Sequence, residues 1–352
     1  MNRPSHAAGL GRIPHRCKAN ASVSLGNLTA LYDGTPRAAA VTTTPAGLAV
    51  TLTYNGEPAA PIYPGTYTVV ATINDPNYVG SASGTLEIGI TALVRHATSL
   101  NGRLDGSVQI LTAENTTLGG ESQVTGDLLV PGMPEIRLNG QPAFGGTLDG
   151  TGSPDPSTHT ITLNGSAALR HVVRRIDPLV LPTVAAPPQP TGTRSVTLNQ
   201  PGESAGDFAT VRNLTLNRNV GLVAVPPGTY GSFSANGGSG FILGVVGAGP
   251  SIYNLQNLTL SGDSRIEVVG PVILVLNRGL SINGNVVFSN HAVEWLTLEF
   301  ASGGLAVNGN VLLPATVIAP SGTVTLSGNA TLRGVVKADR LIVNGNATLE
   351  NP

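Results

Sequence analysis

Leu258-Thr-Leu-Ser-Gly-Asp-Ser-Arg-Ile266, Leu280-Ser-Ile-Asn-Gly-Asn-Val-Val-Phe288, Leu305-Ala-Val-Asn-Gly-Asn-Val-Leu-Leu313, Val324-Thr-Leu-Ser-Gly-Asn-Ala-Thr-Leu332 and Leu341-Ile-Val-Asn-Gly-Asn-Ala-Thr-Leu349 are five copies of one nine-residue phrase. Looser copies lie upstream. Ile136 to Phe144 has Gln141 after its Gly140, Ile161 to Leu169 has Ser166 after Gly165, and Leu214 to Leu222 has Arg218 where the glycine should stand.

Apolar residues two apart share one face of a strand. Asn-Gly or Ser-Gly then supplies a left-handed backbone that a β-branched residue adopts only at a cost. A hairpin would need a partner strand at short, fixed spacing. The glycines of the last five copies are instead 22, 25, 19 and 17 residues apart, about one turn of a parallel β-solenoid. The phrase therefore predicts a corner between two short strands, formed by Gly140, Gly165, Gly262, Gly284, Gly309, Gly328 and Gly345 together with Asn285, Asn310, Asn329 and Asn346. Each inward Leu, Ile or Val contributes on the order of 1.5–3 kcal/mol when fully buried.

Composition agrees with an all-β chain. The 352 residues include 45 glycines, 26 prolines, one tryptophan and only 11% charged residues, and Val, Thr and Leu alternate through most of the length. The net charge of -1 supplies no field to draw nucleic acid or anionic lipid, and the cluster Arg170 to Arg175 with His171 is too small for a nucleic-acid stripe. One cysteine, Cys17, permits neither an internal disulfide nor a cysteine metal site. No apolar run has the length of a membrane-spanning helix. Arg3, Arg12, Arg16 and Lys18 precede no apolar core of a secretory signal. Residues 1–20 are expected to be a disordered lead-in, or Met1 not to be the natural start.

Residues 21–90 form the first compositional unit. Apolar alternation at Val23 to Leu31, Leu48 to Tyr54, Thr66 to Ile73 and Gly84 to Ile90 is punctuated by Asp33-Gly34, Asn55-Gly56, Pro64-Gly65 and Asp75-Pro76-Asn77, as in a small β-sandwich. Tyr32-Asp-Gly-Thr-Pro36, Val41-Thr-Thr-Thr-Pro-Ala-Gly47, Thr53-Tyr-Asn-Gly56, Pro64-Gly-Thr-Tyr-Thr-Val-Val-Ala71, Asp75-Pro-Asn-Tyr78 and Gly84-Thr-Leu-Glu-Ile88 resemble the MBG family. Those are Ig-like repeats of large exported bacterial proteins. The resemblance implies a spacer or adhesion module on a cell surface, usually in tandem. Tyr32, Tyr67 and Tyr78 are expected in the core and corners rather than in a sugar-stacking set, and Asp33 and Asp75 are expected to bond their own turns.

Residues 91–352 carry the solenoid, with imperfect entry coils at Leu100-Asn-Gly102 and Val124-Thr-Gly126. The proline-rich stretch at 178–192 interrupts the rhythm. Proline donates no ladder bond, so the stretch is expected to be an excursion over the solenoid surface. Val225-Pro-Pro-Gly-Thr-Tyr230, Val269-Gly-Pro-Val-Ile-Leu-Val-Leu276 and Val317-Ile-Ala-Pro-Ser-Gly322, with the corner phrase, resemble β-helical modules of exported and pilus-associated bacterial proteins. A looser similarity is to the bactofilin polymers, which assemble end to end. The fold class is thus an Ig-like sandwich followed by a right-handed parallel β-helix.

Catalysis would need clustered carboxylates, or a basic residue beside Ca²⁺, on one exposed face. Asp263, Arg265, Glu267, Glu294 and Glu299 are the candidates, and turn or surface roles account for each. His6, His15, His96, His159, His171 and His291 have no metal-ligand spacing, and Gly237-Gly238-Ser-Gly240 and Gly303-Gly304 read as flexible bends rather than phosphate loops. Thr197, Thr215, Thr259, Thr297 and Thr325 each lie between two apolar residues and so point outward. An ice-binding solenoid presents such a ladder, broken here by Ser281, Ala306 and Ile342.

The expectation is a non-enzymatic, exported, surface-associated structural or adhesion module without cofactor, combining mechanical reach with a repetitive face. Its partner would be an unknown surface ligand, carbohydrate or protein. A final coil ending Leu349-Glu-Asn-Pro352 without a polar cap would leave open strand edges, predicting end-to-end self-association or further sequence downstream. Alternatives are a bactofilin-like scaffold, a β-helical polysaccharide-degrading enzyme and an ice-binding protein.

Overall fold

The computed structural model describes residues 17–150, 156–175, 179–290 and 292–352. Most of the lead-in, with Arg3, Arg12, Arg16, His6 and His15, lies outside the described residues, as do Pro178 and His291. The chain is all-β and divides into two units. One comprises residues up to Ala30 and Thr35–Gly89, the other Leu31–Gly34 and Ile90–Pro352.

The first unit is a sandwich. Ser22–Gly26 pairs antiparallel with Ala40–Thr44. The facing sheet has the order Thr29–Leu31, Ser81–Gly89, Gly65–Ile73, Val50–Tyr54. The run Val23 to Leu31 does not continue as one strand, because Asn27 adopts a left-handed backbone (φ 53°) and divides it between the two sheets. Asparagine tolerates that conformation because its short amide makes local hydrogen bonds. The core holds Tyr54, Val69, Ala71, Ile73, Leu86 and Ile88.

The second unit is a three-sided parallel β-helix. Each coil runs through a strand on face A, the Asn-Gly corner, a strand on face B, and a strand on face C. In one coil these are Leu280–Gly284, Val287–Asn290 and Leu296–Phe300. Inward residues stack coil on coil. Leu260, Ile282, Val307, Leu326, Val343, Leu100, Leu118 and Leu163 form one column on the inside of face A, none more than 3% exposed. An interior cavity among Phe233, Phe241, Tyr253 and Leu274 measures about 10 Å³, room for no more than one water. Around these side chains the core is filled and leaves no room for a larger ligand.

That column also shows that coils do not stack in chain order. From Arg194–Leu198 they rise in sequence to Val336–Val343 and Thr348–Glu350. The next layer is the chain's own first coil: Ala92 pairs with Val336, Ser99 with Ile342 and Leu104 with Leu349. Above it come Thr116–Leu118 with Gln123–Val130, then Pro156–Gly165 with Ala168–Arg174, and last Met133–Gly140. The expected open edge after Leu349 is therefore covered, because the first coil carries the same Leu-Asn-Gly pattern and completes the ladder. Among the described strands of face A, those paired on one side only are Met133–Gly140 and Arg194–Leu198.

Thr91 donates a hydrogen bond to the side-chain oxygen of Asn351 at 2.5 Å, so the chain enters and leaves the solenoid at one layer.

The stretch 179–193 joins coils at opposite ends of the stack. Its burial repeats every third residue: Leu181 and Pro187 are buried, Val184 and Pro190 half-buried. Three residues per turn is the period of polyproline II, so one ridge of the strap faces the protein. Gln256, outward on face C, donates to the carbonyls of Pro187 and Pro188 at 3.3 and 2.9 Å.

Candidate binding face

Face A presents three parallel outward columns, fixed by the strand register. The central one runs Thr197, Thr215, Ser234, Thr259, Ser281, Ala306, Thr325, Ile342, Ser99, Thr117, Thr162, Arg137. Ser281, Ala306 and Ile342 continue the series with small or aliphatic residues in register. Thr297 does not belong to it. It sits on face C beside Ile273 and Thr316, since Leu296-Thr-Leu is followed by Glu299 rather than by a corner.

The column two residues earlier carries Ser195, Asn213, Ser232, Asn257, Gly279, Gly304, Thr323, Arg340, Ala97, Asn115, Thr160 and Glu135. Two glycines here are steric requirements: a Cβ on Gly304 would lie 2.0 Å from the carbonyl oxygen of Thr323, and one on Gly279 2.9 Å from that of Gly304. Gly303-Gly304 is thus a close-packed crossing, not a flexible bend. Gly237-Gly238-Ser-Gly240 is likewise a packed corner, with Ser239 fully buried, donating to the Asn217 carbonyl and accepting from the Val220 N–H.

The third column is the corner itself, a ladder of Asn199, Asn217, Asn236, Ser261, Asn283, Asn308, Ser327, Asn344, Asn101, Asn164 and Asn139, with Gly119 between Asn101 and Asn164. Side-chain amides bond from coil to coil: Asn217 to Asn199 at 2.6 Å, Asn139 to Asn164 at 2.9 Å, and Asn101 to Asn344 at 3.3 Å. Past the glycine a second ladder links Asn329 to Asn310 at 2.8 Å, Asn346 to Asn329 at 3.2 Å and Asn285 to Asp263 at 3.5 Å. Between the ladders Gly140, Gly165, Gly262, Gly284, Gly309, Gly328 and Gly345 all have φ between 62° and 105°. In the coil with Arg218 at that place, Asn219 takes the left-handed backbone instead, at φ 65°.

The charge on these columns is confined to Arg340 and to Arg137 with Glu135, which pair with each other at 2.9 Å. Bonds along the face tie its polar groups down: Asn213 donates to Ser195 at 2.9 Å and accepts from the Ser232 N–H at 2.8 Å, and Asn115 accepts from the Thr160 N–H at 2.8 Å. Face A is a flat, regular, nearly uncharged surface of small side chains held in place.

The residues considered for catalysis are not brought together. Asp263 is in the corner ladder, Arg265 and Glu267 flank the buried Ile266 on the outside of face B, Glu299 is on face C, and Glu294 lies in the short 3-10 turn Val293–Trp295. Burial raises the Glu299 carboxyl above its ordinary range. The histidines are also apart. His96 bonds Glu114 at 2.6 Å, beside Asp339. His159 points inward, and burial lowers its pKa, keeping the ring neutral.

Sequence reasoning missed one polar cluster. Asp127, 1% exposed, accepts both guanidinium bonds of Arg170 at 2.7 and 2.8 Å, contacts His171 at 3.0 Å, and accepts from the hydroxyl of Tyr32, which groups with this unit. Burial pushes the Asp127 carboxyl up, but the bonds from Arg170, Tyr32 and His171 outweigh it and hold the pKa below the usual range. Both carboxylate oxygens of Asp127 are engaged within the cluster, so the cluster is a clasp. Tyr67 donates to the Tyr63 carbonyl and Asp75 accepts from the N–H groups of Asn77 and Tyr78. Both serve turns. Among the described residues no group of histidine, cysteine and carboxylate side chains is arranged to hold a metal.

Residues 21–92 match the family model described as MBG domain. No curated protein and no solved structure matches the chain.

Proposed function

We propose that, with an MBG domain at residues 21–92, the chain is a non-enzymatic, exported module of a bacterial cell surface, and that face A is its contact face. The single observation that carries this is the three-column surface of Ser, Thr, Asn, Gly and Ala extending over the stacked coils with almost no charge. The same coils place Arg265, Glu267, Arg103 and Asp105 and the Arg333–Glu350 ion pair on face B, so a solvent-exposed coil here readily takes charge. A face with so little charge lowers the cost of desolvating ions. Its tethered side chains also lose little rotamer freedom on contact. The fitting partner is a flat, repetitive, uncharged surface, such as an insoluble polysaccharide, bound through many weak contacts in register.

The test is adsorption of the full chain to a panel of insoluble polysaccharides and to bacterial cell walls at low and high salt. Retention that survives high salt supports the reading. Retention on none of them, or retention abolished by salt, contradicts it.

A second reading has one specific observation in its favour. The central column is Thr, Ser or Ala at ten of its twelve positions, repeating at the strand spacing of about 4.8 Å, which suits ordered water as well as a polymer. Ice binding predicts thermal hysteresis that Thr259→Lys removes. No hysteresis in the wild-type chain excludes it.

A further inference from the structure

The seam between the last coil and the first joins segments distant in sequence. Ala92 pairs with Val336, Ser99 with Ile342 and Arg103 with Thr348, across roughly 240 residues. Within the 194–352 block neighbouring coils, such as Leu305–Gly309 under Val324 to Gly328, are about 20 residues apart and covalently continuous. Residues 91–175 form one block of coils paired among themselves, 194–352 form another, and the proline-rich strap connects them.

The strap is close to its limit of reach. The end of Ala168–Arg174 and Arg194 lie eleven strand spacings apart in the pairing register, roughly 53 Å at about 4.8 Å per layer. Nineteen residues of polyproline II cover about 59 Å at roughly 3.1 Å each. The strap's side-chain tether among the described residues is Gln256, and its prolines offer no N–H for a ladder. It can leave the surface without breaking a sheet.

We propose that the seam is an exchangeable interface, and that the partner it fits is a second copy of this chain, whose 91–175 block stacks on the last coil in place of the chain's own. Complementarity is already demonstrated within one chain: the Leu-Asn-Gly register, the Asn101–Asn344 bond, the Thr91–Asn351 bond, and Arg95 bound to Asp339 at 3.1 Å and to the Pro320 carbonyl at 3.2 Å. Exchange of identical elements adds no new contact chemistry and has a low cost. Repeated head to tail, each 91–175 block sits on the last coil of a neighbouring chain while its strap leads back to the 194–352 block of its own chain. The product is an open series of molecules joined through the seam.

Two measurements on the full chain test this. Deleting Thr183 to Pro190 leaves eleven residue steps, at most about 40 Å, too short for closure within one chain. This variant is expected to keep its β-sheet circular dichroism and to sediment as dimers or longer species. A folded monomer overturns the proposal. Should the deletion variant fail to fold, the second measurement decides. Ser99→Cys with Ile342→Cys, in a Cys17→Ser background, places two thiols opposite each other across the seam. The protein is unfolded, refolded over a range of concentrations, and treated with a short thiol crosslinker. Covalent dimers and longer chains that increase with concentration, alongside internally linked monomer, are expected. Internally linked monomer alone at every concentration overturns the exchange.

Discussion

Faces A and B are built from the same coils on the same core, yet one is nearly charge-free and the other carries ion pairs. Inward, Leu326 and Leu332 of one coil are both fully buried. Outward, Thr325 lies in the Thr/Ser column, whereas Arg333 reaches Glu350 at 2.9 Å. The fold constrains inward residues and corners and leaves outward ones free. A departure from ordinary surface composition on one face only therefore points to function rather than to folding.

The comparison can be tested from the inside outward. Leu326→Ala and Leu332→Ala should each cost about 2–5 kcal/mol in urea unfolding. Unequal losses, with one near zero, would show that the two faces do not share one core. Asp127→Ala should cost about 3 kcal/mol, because it strips a buried carboxylate from Arg170. The same clasp gives a pH dependence with a definite sign. Asp127 and Glu114 both have lowered pKa values, Glu114 through the Ala97 N–H and then His96. Their stabilisation is present above the unfolded carboxylate pKa of about 4 and is lost as pH falls through the lower folded values. Thermal melting at pH 7 and pH 3 should show the loss, and Asp127→Asn should reduce it.

Corner substitutions should have smaller effects. Gly328→Ala forces a side chain to φ 70° with its Cβ 3.1 Å from the Gly309 nitrogen, and should cost about 1–2 kcal/mol. Asn329→Ala breaks a link to Asn310 and another to Asn346 and should cost about 1 kcal/mol. Smallest of all for stability, within about 0.5 kcal/mol, should be the exposed Thr259→Lys. Its effect should appear in binding alone.

The coil was legible in sequence because it is local. Leu280-Ser-Ile-Asn-Gly states an inward pair, an outward residue and a left-handed corner within five positions. Thr297 was misplaced because Leu296-Thr-Leu shares the first half of that phrase; the missing Asn-Gly was the available signal that it belongs to another face. Stacking order was not legible, because parallel coils pair through backbone and generic Leu–Val contacts that look alike for every pair. Leu100-Asn-Gly102 did carry a clue, since only a further corner in register would extend the asparagine ladder beyond Asn344. The clasp at Asp127 was missed because Asp127 and Arg170 are 43 residues apart with no common motif.

The most direct test of the central claim is a face-specific charge exchange in the full chain. Thr215→Lys with Thr259→Lys and Thr325→Lys charges face A, and Glu267→Lys with Arg333→Glu alters face B. All three proteins, wild type included, are compared for adsorption to the partner that retains the wild type. Loss of at least tenfold in affinity for the face A variant, with the face B variant unchanged, is the predicted result. Equal binding by the face A variant, or loss confined to the face B variant, would contradict face A as the contact surface.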